Sequence, residues 1–344
     1  MSATTTSTMQ EVMVTTTTTP ATTPQIGPPP PFDPELAAVL PMLAGIPKFE
    51  SLESIPAARE FQMAPPDDDI TLGGRYTVEE RTVPGPAGAP DISLVICRPV
   101  GAARAVPVVY HIHGGGMVVG DATTFLSGVI AMVAEFDAAV VSVEYRLAPE
   151  TPHPGPVEDC YAGLVWTAAH ADELGIDPAR IVIAGASAGG GLAAATTLLS
   201  RDRRGPEPLA QLLMCPMLDD RNETPSSVQM EGLGGLWDRV ANETGWTALL
   251  GAARGTDDVS PYAAPARATD LSGLPATFID VGSAETFRDE AVTYASRIWQ
   301  AGGRCELHVL AGGWHGYDVV APQAAVSQDT EEARRRWLRR VLGA

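Results

Sequence analysis

Residues 185–189 read Gly-Ala-Ser-Ala-Gly. The run Ile181-Val182-Ile183-Ala184 before them predicts a buried strand, and the Gly- and Ala-rich stretch 190–199 after them predicts a packed helix. A serine on so sharp a strand-to-helix turn holds its hydroxyl above the sheet. Its flanking glycines, Gly185 and Gly189, avoid Cβ atoms that would crowd the bend. The helix N-terminus behind Ser187 favours a developing negative charge. The chemistry this suits is nucleophilic attack on a carbonyl carbon. A bare glycine-rich turn and a dinucleotide loop are the rival readings. The second fails on spacing: with Gly185 as the first glycine of Gly-x-Gly-x-x-Gly, Ser187 falls on the second.

A serine hydroxyl is a weak nucleophile and needs a base that is itself held by an acid. After a nucleophile on such a turn, those partners follow in the order acid, then histidine. Two histidines lie beyond Ser187. His308 sits inside a strand pattern, whereas His315 lies in a loop just past that strand, where open sheets gather their chemistry. His315 is therefore the predicted base. The acid is expected in the loop after the preceding strand, which offers Asp280, Glu285 and Asp289. Glu285 is preferred, because Asp289 suits a first-turn helix position and Asp280 comes too early. His113-Gly114-Gly115-Gly116 follows another buried run and fits the His-Gly-Gly-Gly pattern of an oxyanion hole. The expected donors are the amides of Gly115, Gly116 and Ala188, with His113 structural.

The elements that must position these groups alternate along the chain. Strands are predicted at 76–83 and 92–98 as an antiparallel hairpin, then at 106–112, 138–143, 181–184, 212–215, 276–281 and 306–310. Helices are predicted at 124–136, 156–169, 289–301 and about 328–342, with shorter pieces in 34–62, where Asp33 caps Pro34-Glu35. The alternation predicts an α/β fold with a mostly parallel sheet covered on both faces. Residues 218–260 break the rhythm and read as an inserted lid with Trp237 and Trp246 as large anchors. Arg334, Arg335, Arg336, Arg339 and Arg340 are read as complementing the C-terminus of the last helix.

At 344 residues and 45% hydrophobic content the chain can bury a sizeable core, as one large domain with a lid or as two domains. A net charge of −19 argues against nucleic acid and anionic membranes as partners. Cys97, Cys160, Cys215 and Cys305 are widely spaced and read as reduced thiols, neither a disulfide framework nor a zinc site, and no metal is expected. Residues 1–33 are rich in Thr and Pro without apolar periodicity and are read as a disordered tail. It lacks the basic and apolar parts of a secretory signal, so a cytoplasmic protein is expected.

The blocks His113-Gly114-Gly115-Gly116, Tyr145-Arg146-Leu147-Ala148-Pro149-Glu150, Val157-Glu158-Asp159-Cys160, 185–190, Phe287-Arg288-Asp289-Glu290 and His315-Gly316 resemble the hormone-sensitive-lipase-like esterases, bacterial family IV. The resemblance covers roughly residues 34–344. It implies an α/β-hydrolase fold, a helical cap built from about 34–75 and 218–260, hydrolysis of short acyl esters, and no cofactor. It also permits a homodimer through the C-terminal strand and helix, residues 305–342. Three positions depart from the family pattern. Ala186 stands where Asp is common, Glu285 where Asp is usual, and Tyr317, where Phe is more frequent, adds a polar group near the pocket. Met117, Trp246 and residues near Phe61 are expected to line the pocket. A lactone, carbamate or aryl amide could replace the ester on the same machinery. A non-catalytic small-ligand receptor on this fold, like the plant gibberellin receptors, is disfavoured because His315 is present.

Overall fold

The computed structural model describes residues 1, 26–61, 69–102, 105–233 and 235–343. Its strands are β1 Tyr76–Val83, β2 Ile92–Pro99, β3 Val106–Ile112, β4 Ala139–Glu144, β5 Ile176–Ala186, β6 Ala210–Met214, β7 Ala276–Gly282 and β8 Cys305–Leu310. They form one sheet in the order β1-β2-β4-β3-β5-β6-β7-β8. β2 pairs antiparallel with both β1 and β4, and every pairing from β4 to β8 is parallel. The central β3, Val-Pro-Val-Val-Tyr-His-Ile, is buried at every position, as a parallel strand covered on both faces must be. Its residues alternate between two cores. Val108, Tyr110 and Ile112 pack with the helices Gly155–Ala169, Ala188–Arg203 and Arg288–Gln300. Val109 packs on the other face with the helices Leu126–Val133 and Ala325–Leu342.

The expected strands and long helices are present, with ends shifted by a few residues. The 34–62 stretch holds the α-helix Pro34–Val39, capped by the Asp33 carboxylate on the amides of Glu35 and Leu36. The 3₁₀ turn Leu40–Gly45, the 3₁₀ turn Leu52–Ser54 and the helix Ile55–Arg59 follow. Two expectations change. Residues 2–25 of the expected tail, like 62–68, lie outside the described residues, but its end is packed and not free. Gln229 Nε2 donates to the carbonyls of Gly27 and Pro28 at 3.1 Å, and Asp33 N–H donates to Gly312 O at 3.1 Å. The arginines of the last helix mostly form ion pairs instead of serving its C-terminus. Arg334 is buried on Asp280 and Asp318, Arg335 and Arg336 pair with Glu331 and Glu332 one turn back, Arg339 reaches Glu135, and Arg340 reaches Glu306. No described helix is long and apolar enough to cross a membrane.

Residues 218–260 carry the helices Pro225–Gln229 and Arg239–Leu250. This segment meets the N-terminal one directly. Thr244 Oγ1 donates to Phe49 O at 3.1 Å, and the rings of Phe49 and Trp237 lie 5.1 Å apart. Both segments thereby come to rest beside the glycine loop that leaves the C-terminal end of β3, since the Trp237 ring fills the space next to Gly116.

Candidate active site

Ser187 directly follows Ala186, the last residue of β5, and precedes the helix Ala188–Arg203. Its backbone sits at φ 58° and ψ −122°, a conformation that costs an L-residue energy and persists only where its surroundings hold it. The hold is visible. Ser187 N–H donates to Met214 O of β6 at 2.8 Å, and Ser187 O accepts from Gly191 and Met217, both at 3.0 Å. The glycines are required by contact. A Cβ on Gly185 would lie 2.3 Å from Gly189 O, and one on Gly189 would lie 2.0 Å from Ile112 O. Ala188 is the first helical residue, so its N–H is one of the donors an α-helix leaves without an internal partner.

His315 lies five residues past β8, beside Ser187. Its Nε2 is 2.9 Å from Ser187 Oγ, and its Nδ1 is 2.8 Å from Glu285 Oε1. The other carboxylate oxygen of Glu285 accepts from Gly282 N–H at 3.0 Å, which ties the acid to the end of β7. The Phe287 ring meets the imidazole edge-on at 5.1 Å and limits its rotation. Ser187 and His315 are each 7% exposed and Glu285 is 1% exposed, so this polar chain is largely shielded from water. In such surroundings its hydrogen bonds are stronger than at a surface. The two other acids of the loop are engaged elsewhere. Asp289 accepts from Ser226 N–H and from Arg288, while Asp280 receives two bonds from Arg334 at 2.7 and 2.8 Å. His308 pairs with Glu306 on β8.

The glycine loop leaves β3 and lies against the serine turn. A Cβ on Gly114 would stand 3.0 Å from Ala186 O and 3.5 Å from Ser187 Cβ. Gly115 and Gly116 adopt φ of 105° and 61°. Gly115 O accepts from Val118 and Val119 at 3.0 Å, closing the loop into a tight turn. Among the described residues the amides of Gly115 and Gly116 donate to no backbone carbonyl. His113 is structural, as expected. Its Nδ1–H donates to Gly114 O at 2.8 Å, and its ring stacks on Tyr145 at 4.1 Å. Burial pushes its pKa down to about 4, which keeps the imidazole neutral. Tyr145 Oη–H donates to His113 O at 2.9 Å, so the tyrosine pins the start of the loop from two sides.

Two of these positioning residues escaped the sequence reading. Tyr145 stood out only as part of a block, without a role. Trp237 was an unassigned anchor, yet its ring occupies the place where a Cβ on Gly116 would sit, 2.1 Å from that position. Met117 and Trp246 are both fully enclosed, and the Met117 methyl approaches Gly191. Phe61 is exposed. Tyr317 departs from expectation. It brings no polar group to the pocket, because its ring packs on Gly313 and its hydroxyl bonds Thr330 of the last helix.

A family model described as an alpha/beta hydrolase fold matches residues 109–319, which contain the glycine loop, Ser187, Glu285 and His315. Carboxylesterase NlhH of Mycobacterium tuberculosis is 36% identical over 257 residues, covering 72% of this chain and 78% of that protein. Carboxylic ester hydrolase LipN of the same organism is 36% identical over 245 residues, covering 70% of this chain and 64% of that protein. The match thus spans a little under two thirds of LipN. Among solved structures, a bacterial heroin esterase superposes with a TM-score of 0.82 at 42% identity, covering 90% of this chain and 98% of that one. Esterase LipW from Mycobacterium marinum gives 0.79 at 32% identity, covering 91% and 98%. With its sheet order, its serine turn and these matches, the chain belongs to the α/β-hydrolase fold family, among the hormone-sensitive-lipase-like carboxylesterases.

Proposed function

We propose that the chain hydrolyses short- to medium-chain acyl or aryl esters of small molecules, with Ser187 as nucleophile, His315 as base and Glu285 as the acid that orients it. One observation carries this reading: the unbroken contact from Glu285 Oε1 through both nitrogens of His315 to Ser187 Oγ, at 2.8 and 2.9 Å. His315 Nε2 takes the hydroxyl proton as Ser187 Oγ bonds to the ester carbonyl carbon. Glu285 keeps the remaining proton on Nδ1 and stabilises the imidazolium that forms. The carbonyl oxygen becomes an oxyanion, for which the amides of Gly115, Gly116 and Ala188 are the donors. Loss of one such donor costs about 3 kcal/mol of barrier. His315 then returns the proton to the departing alcohol. A water molecule, deprotonated by His315, releases the acid and restores Ser187. The chain's own side chains supply every proton transfer, and no cofactor enters.

The described residues of 34–75 and 218–260 act as the cap over this centre. Trp237, supported by Met117 and Trp246, bounds the acyl pocket from that side. The outer strand β8, with Val309 and the neighbouring Trp299 exposed, is the proposed edge for a homodimer. A cytoplasmic location fits four unpaired cysteines. The test of the activity is hydrolysis of p-nitrophenyl esters from acetate to laurate by the full chain and by Ser187→Ala. Turnover of the short esters by the wild type alone supports the reading. Equal rates in both proteins overturn it.

A further inference from the structure

Cys215 directly follows the last residue of β6, and its N–H donates to Asp280 O of β7 at 2.8 Å. That position seats a free, buried thiol next to the triad. Cys215 Sγ, a Glu285 carboxylate oxygen and a His315 ring nitrogen lie within 4.8 Å of one another. Among the described residues no other three His, Cys, Asp or Glu side chains meet so closely. The nitrogen on the Glu285 side is Nδ1, because Nε2 faces Ser187. Thiolate, imidazole and carboxylate are the donor set of zinc sites. Tetrahedral bonds of about 2.0–2.3 Å place such donors some 3.3–3.8 Å apart, so these three need only draw together around an ion.

We propose that Cys215, Glu285 and His315 form an inhibitory site for a thiophilic divalent cation such as Zn²⁺. The proposal rests on the reading of His315 as the base. On binding, the thiol releases its proton to solvent, and the ion takes the Nδ1 lone pair and a Glu285 oxygen. The single imidazole proton then resides on Nε2, facing Ser187 Oγ. In that tautomer His315 has no lone pair for the serine proton, and the Glu285 to Nδ1 hydrogen bond is gone. The ion therefore switches the centre off without approaching the oxyanion donors. Cys215 is the residue that makes the site, since the other two are present wherever a Ser-His-Glu triad is.

The experiment uses chelator-stripped full-length chain, as wild type, Cys215→Ala and Cys215→Ser, each compared with its own metal-free rate. Zinc is titrated during p-nitrophenyl acetate hydrolysis, and Co²⁺ binding is followed separately by its thiolate charge-transfer absorbance. Expected is a half-inhibiting zinc concentration about 10–100-fold lower for wild type than for either variant. A cobalt–thiolate band is expected in the wild type and not in the variants. Equal zinc sensitivity in all three proteins overturns the site. So does a wild-type chain that binds cobalt without a thiolate band, a result independent of whether the variants fold. A chain that hydrolyses no ester but shows the Cys215-dependent band would sink the functional reading and leave the metal site standing.

Discussion

Glu285→Gln preserves length and shape while removing one acceptor, and the structure says what that must do. The carboxylate meets two donors, His315 Nδ1–H at 2.8 Å and Gly282 N–H at 3.0 Å. A glutamine amide has a single carbonyl oxygen to share between them. If the oxygen stays on His315, its NH₂ confronts the Gly282 N–H inside a buried site, an unsatisfied pairing worth about 1–3 kcal/mol of stability. If the amide turns over, its NH₂ faces Nδ1 and forces the imidazole into the Nε2–H tautomer, which accepts no proton from Ser187. The corresponding acid-to-amide change in a serine protease triad costs about 10⁴ in kcat, which is roughly 5 kcal/mol at about 1.4 kcal/mol per decade. The same order is expected here, with KM changed only a few-fold, because Glu285 is 1% exposed and does not reach the substrate side. Initial rates with p-nitrophenyl acetate give kcat and KM, and urea unfolding shows that the variant is folded. A folded variant within tenfold of wild-type kcat would refute the assignment of Glu285.

Three further outcomes follow from the packing around the site. Tyr145→Phe removes the bond to His113 O and leaves that buried carbonyl short of a donor; urea unfolding should register a loss of about 1–3 kcal/mol, with kcat lowered by loosening of the glycine loop. Trp237→Ala uncovers Gly116; the octanoate-to-butyrate ratio of kcat/KM should rise, each additional buried methylene contributing up to about 0.8 kcal/mol, and an unchanged ratio would remove Trp237 from the pocket. Burial lowers His111 from 6.5 to about 3 and His113 to about 4, so the native state binds fewer protons than the unfolded chain as pH falls below 6.5. Their stabilising contribution is full above that value and is lost on acidification; His111→Gln should remove about 1.4 kcal/mol per pH unit of that slope, read from unfolding free energies between pH 6.5 and 4.5.

What the sequence revealed followed from chemistry that leaves few residue choices. Gly185 and Gly189 announce the turn because a side chain at either would strike backbone 2.0–2.3 Å away. His315 is the histidine the sequence favours because only His308 competes, and the strand pattern accounts for that one. Glu285 emerged from its place after a strand, although Asp289 and Asp280 stood nearby; the structure gives those two to Ser226 and Arg334. The relations that stayed hidden join distant residues without any local pattern. Nothing near Trp237 says that it covers Gly116, since an isolated tryptophan in an irregular segment has no periodicity to orient it. Arg334 in the last helix read as a terminal charge because its partner Asp280 lies 54 residues earlier. Cys215 read as an ordinary core thiol, and only the parallel register of β6 beside β7 brings it to Glu285 and His315.

In the proposed reaction Ser187 forms a covalent bond to substrate with His315 as its base. The most direct measurement is labelling of the full chain with a fluorophosphonate, followed by peptide mass spectrometry. One phosphonyl group on Ser187 is predicted, absent after Ser187→Ala and strongly slowed in His315→Ala. A wild-type chain that takes up no label, or takes it up equally well after Ser187→Ala, would contradict the claim.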